Sequence, residues 1–148
     1  MINLNLFKSE CEEKQKIIVS HDVGTGDNKH IANNKDRSRV RHFKVDEEII
    51  KDGEKCDYLL LNDDRMDAYF IELKGSDILK AIDQVERTST VLQKSLSGYD
   101  LYYRIIYKSG THSIHSPKVN KWKEVLGRNK NTKKPYAVIR QKRYEEDI

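Results

Sequence analysis

The sequence predicts an α/β (α+β) fold in which a central mixed β-sheet is flanked by helices. Three observations carry that expectation. Tyr58-Leu59-Leu60-Leu61 and Ala68-Tyr69-Phe70-Ile71 are apolar runs joined by the polar turn Asn62-Asp63-Asp64-Arg65, which reads as a β-hairpin. Ile78, Ile82, Val85, Leu92 and Leu96 then recur at helical spacing, in a segment with Ser76 as its N-cap and an end near Ser95. Asp100 to Lys108, DLYYRIIYK, follows as a run rich in β-branched and aromatic residues, a strong strand.

The remaining elements are read in chain order. Residues 5–19 place Leu6, Phe7, Cys11, Gln15 and Ile18 near helical spacing behind an acidic first turn, so a first helix is expected there. His21 to Asp36 is rich in Gly, Asn and Asp and reads as a long loop suited to contacting a substrate. Its Gly24-Thr25-Gly26 lacks the third glycine and the following Lys-Ser or Lys-Thr of a phosphate cradle. Ser38 to Val45 alternates and gives the first strand, followed by Asp46-Glu47-Glu48 and a tight turn at Asp52-Gly53. Ser109 to Ser116 is a loop holding His112 and His115, with no Cys or further His to complete a zinc set.

Composition bounds the rest. A chain of 148 residues is expected to form one domain, residues 1–148, with a core of ordinary size. Charged residues make up 35% and apolar residues 36%, which fits a soluble cytoplasmic protein; no apolar run is long enough to span a membrane, and the N-terminus does not have the build of a signal peptide. Cys11 and Cys56 are far apart and read as two reduced thiols.

The net charge is only +4, yet the chain beyond Lys118 is strongly basic and predicts a short helix and a last strand over Tyr136 to Arg140. Lys118, Lys121, Lys123, Arg128, Lys130, Lys133 and Lys134 suit a polyphosphate partner, held through counterion release. Trp122, Tyr136 and Tyr144 lie among them, either packed or free to stack on unpaired bases.

The chemistry concentrates in the hairpin. Asp57 opens its first strand, and Glu72 and Lys74 close the second on one face, with Leu73 facing the other way. Two carboxylates and an ammonium at one sheet edge are costly to bury without a ligand, usually a metal.

Asp57, Glu72-Leu73-Lys74 on the next strand and the helix after Ser76 together resemble the PD-(D/E)XK nuclease superfamily, the restriction-endonuclease-like fold, over residues 38–107. Cys56 stands where the motif has proline, a position that varies widely in the superfamily. The resemblance implies an α-β-β-β-α-β core and metal-dependent hydrolysis of phosphodiester bonds. Asp57, Glu72 and the Leu73 carbonyl would hold Mg2+, with Mn2+ able to substitute. Lys74 would be catalytic, and Gln84, with Thr88 one turn on, corresponds to a helix Gln that reaches the site in several branches. Read without the family, Gln84 is a boundary residue of the helix.

Asp46, at a strand end, and Glu10 and Glu13, on the first helix, are candidate extra acids, the alternative being that each is simply solvated. DNA is the first expected substrate, in an endonuclease of restriction or phage-defence type. A toxin-like RNase acting on transfer RNA and a non-catalytic binding module are the alternatives. A homodimer with two sites would suit cleavage of both strands.

Overall fold

The computed structural model describes residues 1–22, 27–109 and 112–148. Strands β1 (Ile17–His21), β2 (Lys29–Asn33), β3 (Val40–Lys44), β4 (Tyr58–Asn62) and β5 (Asp67–Lys74) lead to helix α1 (Ile78–Leu92). Strand β6 (Asp100–Tyr107), helix α2 (Pro117–Leu126), β7 (Ala137–Gln141) and β8 (Arg143–Asp147) complete the order. The mixed α+β class is therefore observed, and the described residues form two helices and two mixed sheets where one sheet was expected.

The larger sheet has the order β3-β4-β5-β6-β7, antiparallel through β5 and parallel from β5 to β7. The smaller has β1 antiparallel to β2 and β2 parallel to β8. Alternation along β4 to β6 sorts the core into two layers. Leu59, Leu61, Phe70 and Ile105 face α1, meeting Ile78, Ile82 and Val85. Leu60, Tyr69, Ile71, Tyr102 and Ile106 face the smaller sheet, meeting Ile18, Ala32 and Ile148.

Helix α1 forms where its stripe predicts, but Asp77 rather than Ser76 caps it, accepting from the Lys80 N–H at 3.0 Å. The 3-10 turn Gln93–Leu96 extends it to the last apolar position of the stripe. The last strand begins one residue later than expected and is joined to β8, which the sequence reading did not contain.

Two expectations near the N-terminus fail. Residues 5–19 do not form a helix: a 3-10 turn at Leu4–Leu6 gives way to irregular chain and then β1, so the first α of the expected order is absent. The backbone is used otherwise. Glu10 N–H donates to the His42 carbonyl at 2.6 Å and the Glu13 carbonyl accepts from Val40 N–H at 2.7 Å, so this segment runs along the outer edge of β3. The β-branched run Ile17-Ile18-Val19 then favours a strand.

Nor is His21 to Asp36 one long loop, because β2 lies inside it and pairs with β1 in full register. Gly24-Thr25-Gly26 falls outside the described residues. The Asn28 side chain ties this hairpin to the larger sheet, donating to the carbonyls of Lys74 at 3.0 Å and Ile106 at 3.2 Å. At the free edge of β1, Gln15 Nε2 donates to the Ile17 carbonyl (2.8 Å) and the Tyr58 hydroxyl to that of His21 (2.9 Å).

A polar cluster lies between the sheets. Arg104 is fully buried and donates to both carboxylate oxygens of Glu146, at 2.7 and 3.1 Å. His30 Nε2 meets the same carboxylate at 2.6 Å, and the rings of Tyr69, Tyr102 and Tyr144 lie within 6 Å of the guanidinium carbon. Burial alone would raise the Glu146 pKa; His30 and Arg104 instead hold it down at about 2.

Candidate metal and phosphodiester site

The candidate site begins with the chain entering β4. Gly53 takes φ +80°, and a Cβ there would come within 2.7 Å of the Arg87 guanidinium, which donates to the carbonyls of Asp52 and Glu54. Helix α1 then grips the next two residues. Gln84 Nε2 donates to the Lys55 carbonyl at 3.0 Å, and Thr88 Oγ1 accepts from Cys56 N–H at 2.8 Å while donating to the Gln84 carbonyl. Gln84 and Thr88 thus fix the Lys55–Cys56 peptide, one residue before Asp57. Cys56 is buried and free, and burial pushes its thiol pKa well up, so it serves as packing.

Asp57 accepts from Leu73 N–H at 2.9 Å, which pins its carboxylate beside the end of β5. The N–H and C=O of a strand residue leave on the same side, so the Leu73 carbonyl also faces the Asp57 side. Glu72 is 3% exposed and faces α1. Lys74 Nζ stands 3.3 Å from one Glu72 oxygen, while Glu72 Oε1 is buried with no hydrogen-bond partner among the described residues. Gln84 Oε1 is a second buried acceptor without a partner.

The electrostatics follow from this packing. Burial, then the neighbouring Asp57 charge, pushes Glu72 up to about 8, against the partial offset of Lys74. Burial raises Asp57 too, opposed by the Leu73 N–H, and the Asp57 charge in turn helps raise Glu72. Such a pair ionises fully only with a cation between its members and otherwise retains a proton.

The donor set suits Mg2+, which takes one or two carboxylates from a protein and fills its remaining positions with water and phosphate oxygens. The orphaned Glu72 oxygen has the chemistry of an unfilled ligand position. Among the described residues no group of three or more His, Cys, Asp or Glu side chains gathers to hold an ion, which excludes there a cage built of side chains alone. His115 is exposed, and the His112 side chain lies outside the described residues.

A cleft of about 390 Å3 opens at Asp57 and is lined by His21, Asp22, Lys44, Asp46, Glu47 and Tyr58. Asp46 therefore shares the cleft, where Lys55 Nζ pairs with it at 3.3 Å. His21 and Asp22 reach it from the end of β1; the sequence places both in a segment suited to contacting a substrate but singles out neither. Lys44 closes β3 and lies directly across from Tyr58, so strand register alone places it one residue from Asp57.

The other candidates scatter. Glu10 is exposed, though its charge reaches the Tyr58 hydroxyl. Glu13 bears on Arg39 at the opposite end of β3. Lys118, Lys121, Arg128, Lys130 and Lys133 are exposed and Lys123 is half-buried. Lys134 is different: its ammonium donates at 2.6 Å to the Tyr69 hydroxyl and at 2.6 Å to the Asp147 carbonyl, which ties it inward. The three aromatics of the basic segment pack, Tyr136 stacking on Tyr102, Trp122 tilting against Tyr103 and Tyr144 lying under Arg104 and Arg140.

No protein-family model matches the chain, and no curated protein or solved structure matches it. Among the described residues no helix is long and apolar enough to cross a membrane.

Proposed function

We propose that this chain is a metal-dependent nuclease of the PD-(D/E)XK type, a cytoplasmic enzyme that hydrolyses phosphodiester bonds, with DNA as its first substrate. The observation that carries the reading is the pairing of half-buried Asp57 with buried Glu72, which has one carboxylate oxygen unpartnered among the described residues and Lys74 at 3.3 Å. Asp57, Glu72 and the Leu73 carbonyl would hold Mg2+, or Mn2+ in its place. When bound, the ion supplies charge neutralisation on the phosphate and a lowered pKa for the attacking water.

The remaining work falls to the chain. Asp57 and Glu72 set negative charge at the strand ends, which favours a cation over a proton as pH rises. Lys74 reaches the same point from β5 and stabilises charge developing on the phosphoryl oxygens as water adds and the ester oxygen leaves. Gln84 holds the Lys55 carbonyl and so keeps Asp57 in place. A homodimer would bring two such sites to a duplex.

The test is a comparison of wild type with Lys74→Ala on labelled single- and double-stranded DNA and transfer RNA, with Mg2+, Mn2+ or EDTA. Cleavage that requires metal and falls at least about 100-fold in Lys74→Ala is the expected result. The substrate cut fastest distinguishes DNA from RNA. A Lys74→Ala protein cutting at the wild-type rate overturns the assignment.

A further inference from the structure

Beyond the strand-end site, the outer edge of β7 carries a second feature. A groove of about 290 Å3 runs there, with Lys123, Arg128 and Arg140 among its lining residues and no carboxylate. Lys123 comes from the last turn of α2, Arg128 from the segment after it and Arg140 from β7 itself. None of the three has a carboxylate partner among the described residues. Arg128 donates to the Lys133 carbonyl at 3.0 Å, Arg140 donates to the Ile139 carbonyl at 3.4 Å, and the Arg140 guanidinium lies over the Tyr144 ring. Those contacts orient the guanidinium groups and leave their charge unneutralised. As the last strand of its sheet, β7 also turns a row of backbone groups outward, including N–H donors of the kind phosphate oxygens accept.

We infer that this groove binds the phosphate backbone of a nucleic acid and holds the flank of the strand whose scissile phosphate lies at Asp57 and Glu72. The register fixes the relation between the two places. Arg140 pairs with Ile106, and Ile106 pairs with Leu73, so the Arg140 backbone is level with the Leu73 end of β5 and two strands from it, while its side chain leaves the sheet on the Leu73 face, opposite to Glu72 and Lys74. Two strand spacings are about 10 Å, or about three nucleotides along a duplex axis. Of the basic residues in the C-terminal segment, the groove selects Lys123 and Arg128, adds Arg140 and leaves out Lys134.

The relation to the scissile phosphate rests on the nuclease reading, whereas the binding itself does not. Binding is therefore measured in EDTA, where no cleavage occurs, as the anisotropy of short labelled single- and double-stranded DNA and RNA over a range of salt. Arg128→Gln/Arg140→Gln is expected to bind about tenfold more weakly than wild type near 0.1 M salt. Its dependence of log K on log salt should fall by about two phosphate contacts. Lys123→Gln/Arg128→Gln leaves the Arg140–Tyr144 contact alone and should show a loss of the same kind. Lys14→Gln/Lys16→Gln, two exposed lysines before β1 and outside the groove, should bind within about twofold of wild type.

The inference is overturned if the groove variants bind like wild type, if the Lys14/Lys16 variant loses as much, or if wild type binds no nucleic acid. Groove-dependent binding in a protein that cleaves nothing would instead sink the nuclease reading and leave the groove standing.

Discussion

Glu72→Gln is expected to abolish cleavage and at the same time to raise the melting temperature of the metal-free protein at pH 8. The two effects have one cause. The Glu72 carboxyl is held up at about 8 by burial and by Asp57, against an ordinary value of 4.5. The folded protein therefore binds this proton more tightly than the unfolded chain does. The stability associated with it is fully present below about 4.5 and is lost as pH rises through about 8. At pH 8 a neutral amide removes a charge penalty on the order of 2 kcal/mol, after allowance for relaxation around the pair. That corresponds to a few degrees in melting temperature.

Cleavage should fall by about 1,000-fold or more, because the variant cannot hold the ion whose charge the reaction needs. Thermal melts from pH 5 to 9 in EDTA test the first effect, with wild type declining toward alkaline pH and Glu72→Gln nearly flat. Added Mg2+ should raise the melting temperature of wild type, more at pH 8 than at pH 6, and leave Glu72→Gln unmoved. A variant that melts below wild type at pH 8, or that Mg2+ stabilises equally, would show that the carboxylate pair is not a cation site.

The second large effect concerns the polar cluster between the sheets. Glu146→Ala is expected to cost about 3–5 kcal/mol, because it leaves the Arg104 guanidinium buried with no counter-charge. Removing both charges should cost far less, so Arg104→Met/Glu146→Leu is expected to recover most of the stability. Urea unfolding of the single and double variants measures the difference. A single variant within about 1 kcal/mol of wild type would mean that water or a nearby group replaces the carboxylate.

The pH dependence here has the opposite sign to that of Glu72. The Glu146 pKa is depressed to about 2, so its contribution is present above its ordinary 4.5 and is lost as pH falls through about 2. Acid unfolding should begin higher in Glu146→Ala than in wild type.

How far the sequence reveals this protein depends on how local each element is. The β4–β5 hairpin, α1 and β6 follow from periodicity within short windows, and the structure has each of them close to its predicted bounds. Asp57, Glu72 and Lys74 were brought together by the alternation of a hairpin, a constraint that also needs no distant partner. The smaller sheet could not be read that way. Its β2–β8 pairing is parallel and joins His30 to Tyr144, so no local window contains both strands.

β2 also hides its character, since Asn28, His30, Asn33 and Asn34 have the composition of a loop. The amides of the three asparagines and His30 Nε2 bond to Lys74, Ile106, Glu146, Glu145, Gln15 and Ser38, contacts that the fold supplies, while His30 Nδ1 is buried with no partner among the described residues. The basic segment shows the same limit. Lys134 looks like its neighbours in sequence, but the fold draws it onto Tyr69 while Arg128 and Arg140 stay at the surface. Charge can be counted along a chain, but accessibility is set by tertiary neighbours.

The capped edge of β1 has a consequence for solubility. A bare strand edge is a template on which another chain can extend the sheet, and Ile17 and Val19 are exposed apolar residues on this strand. The carbonyls of Ile17 and His21 are already engaged by Gln15 and Tyr58, so an incoming strand would have to displace two internal hydrogen bonds before it gained its own. Sheet-to-sheet growth into fibres is thereby discouraged from within the molecule, and the His21 end of β1 stays open as a wall of the cleft at Asp57.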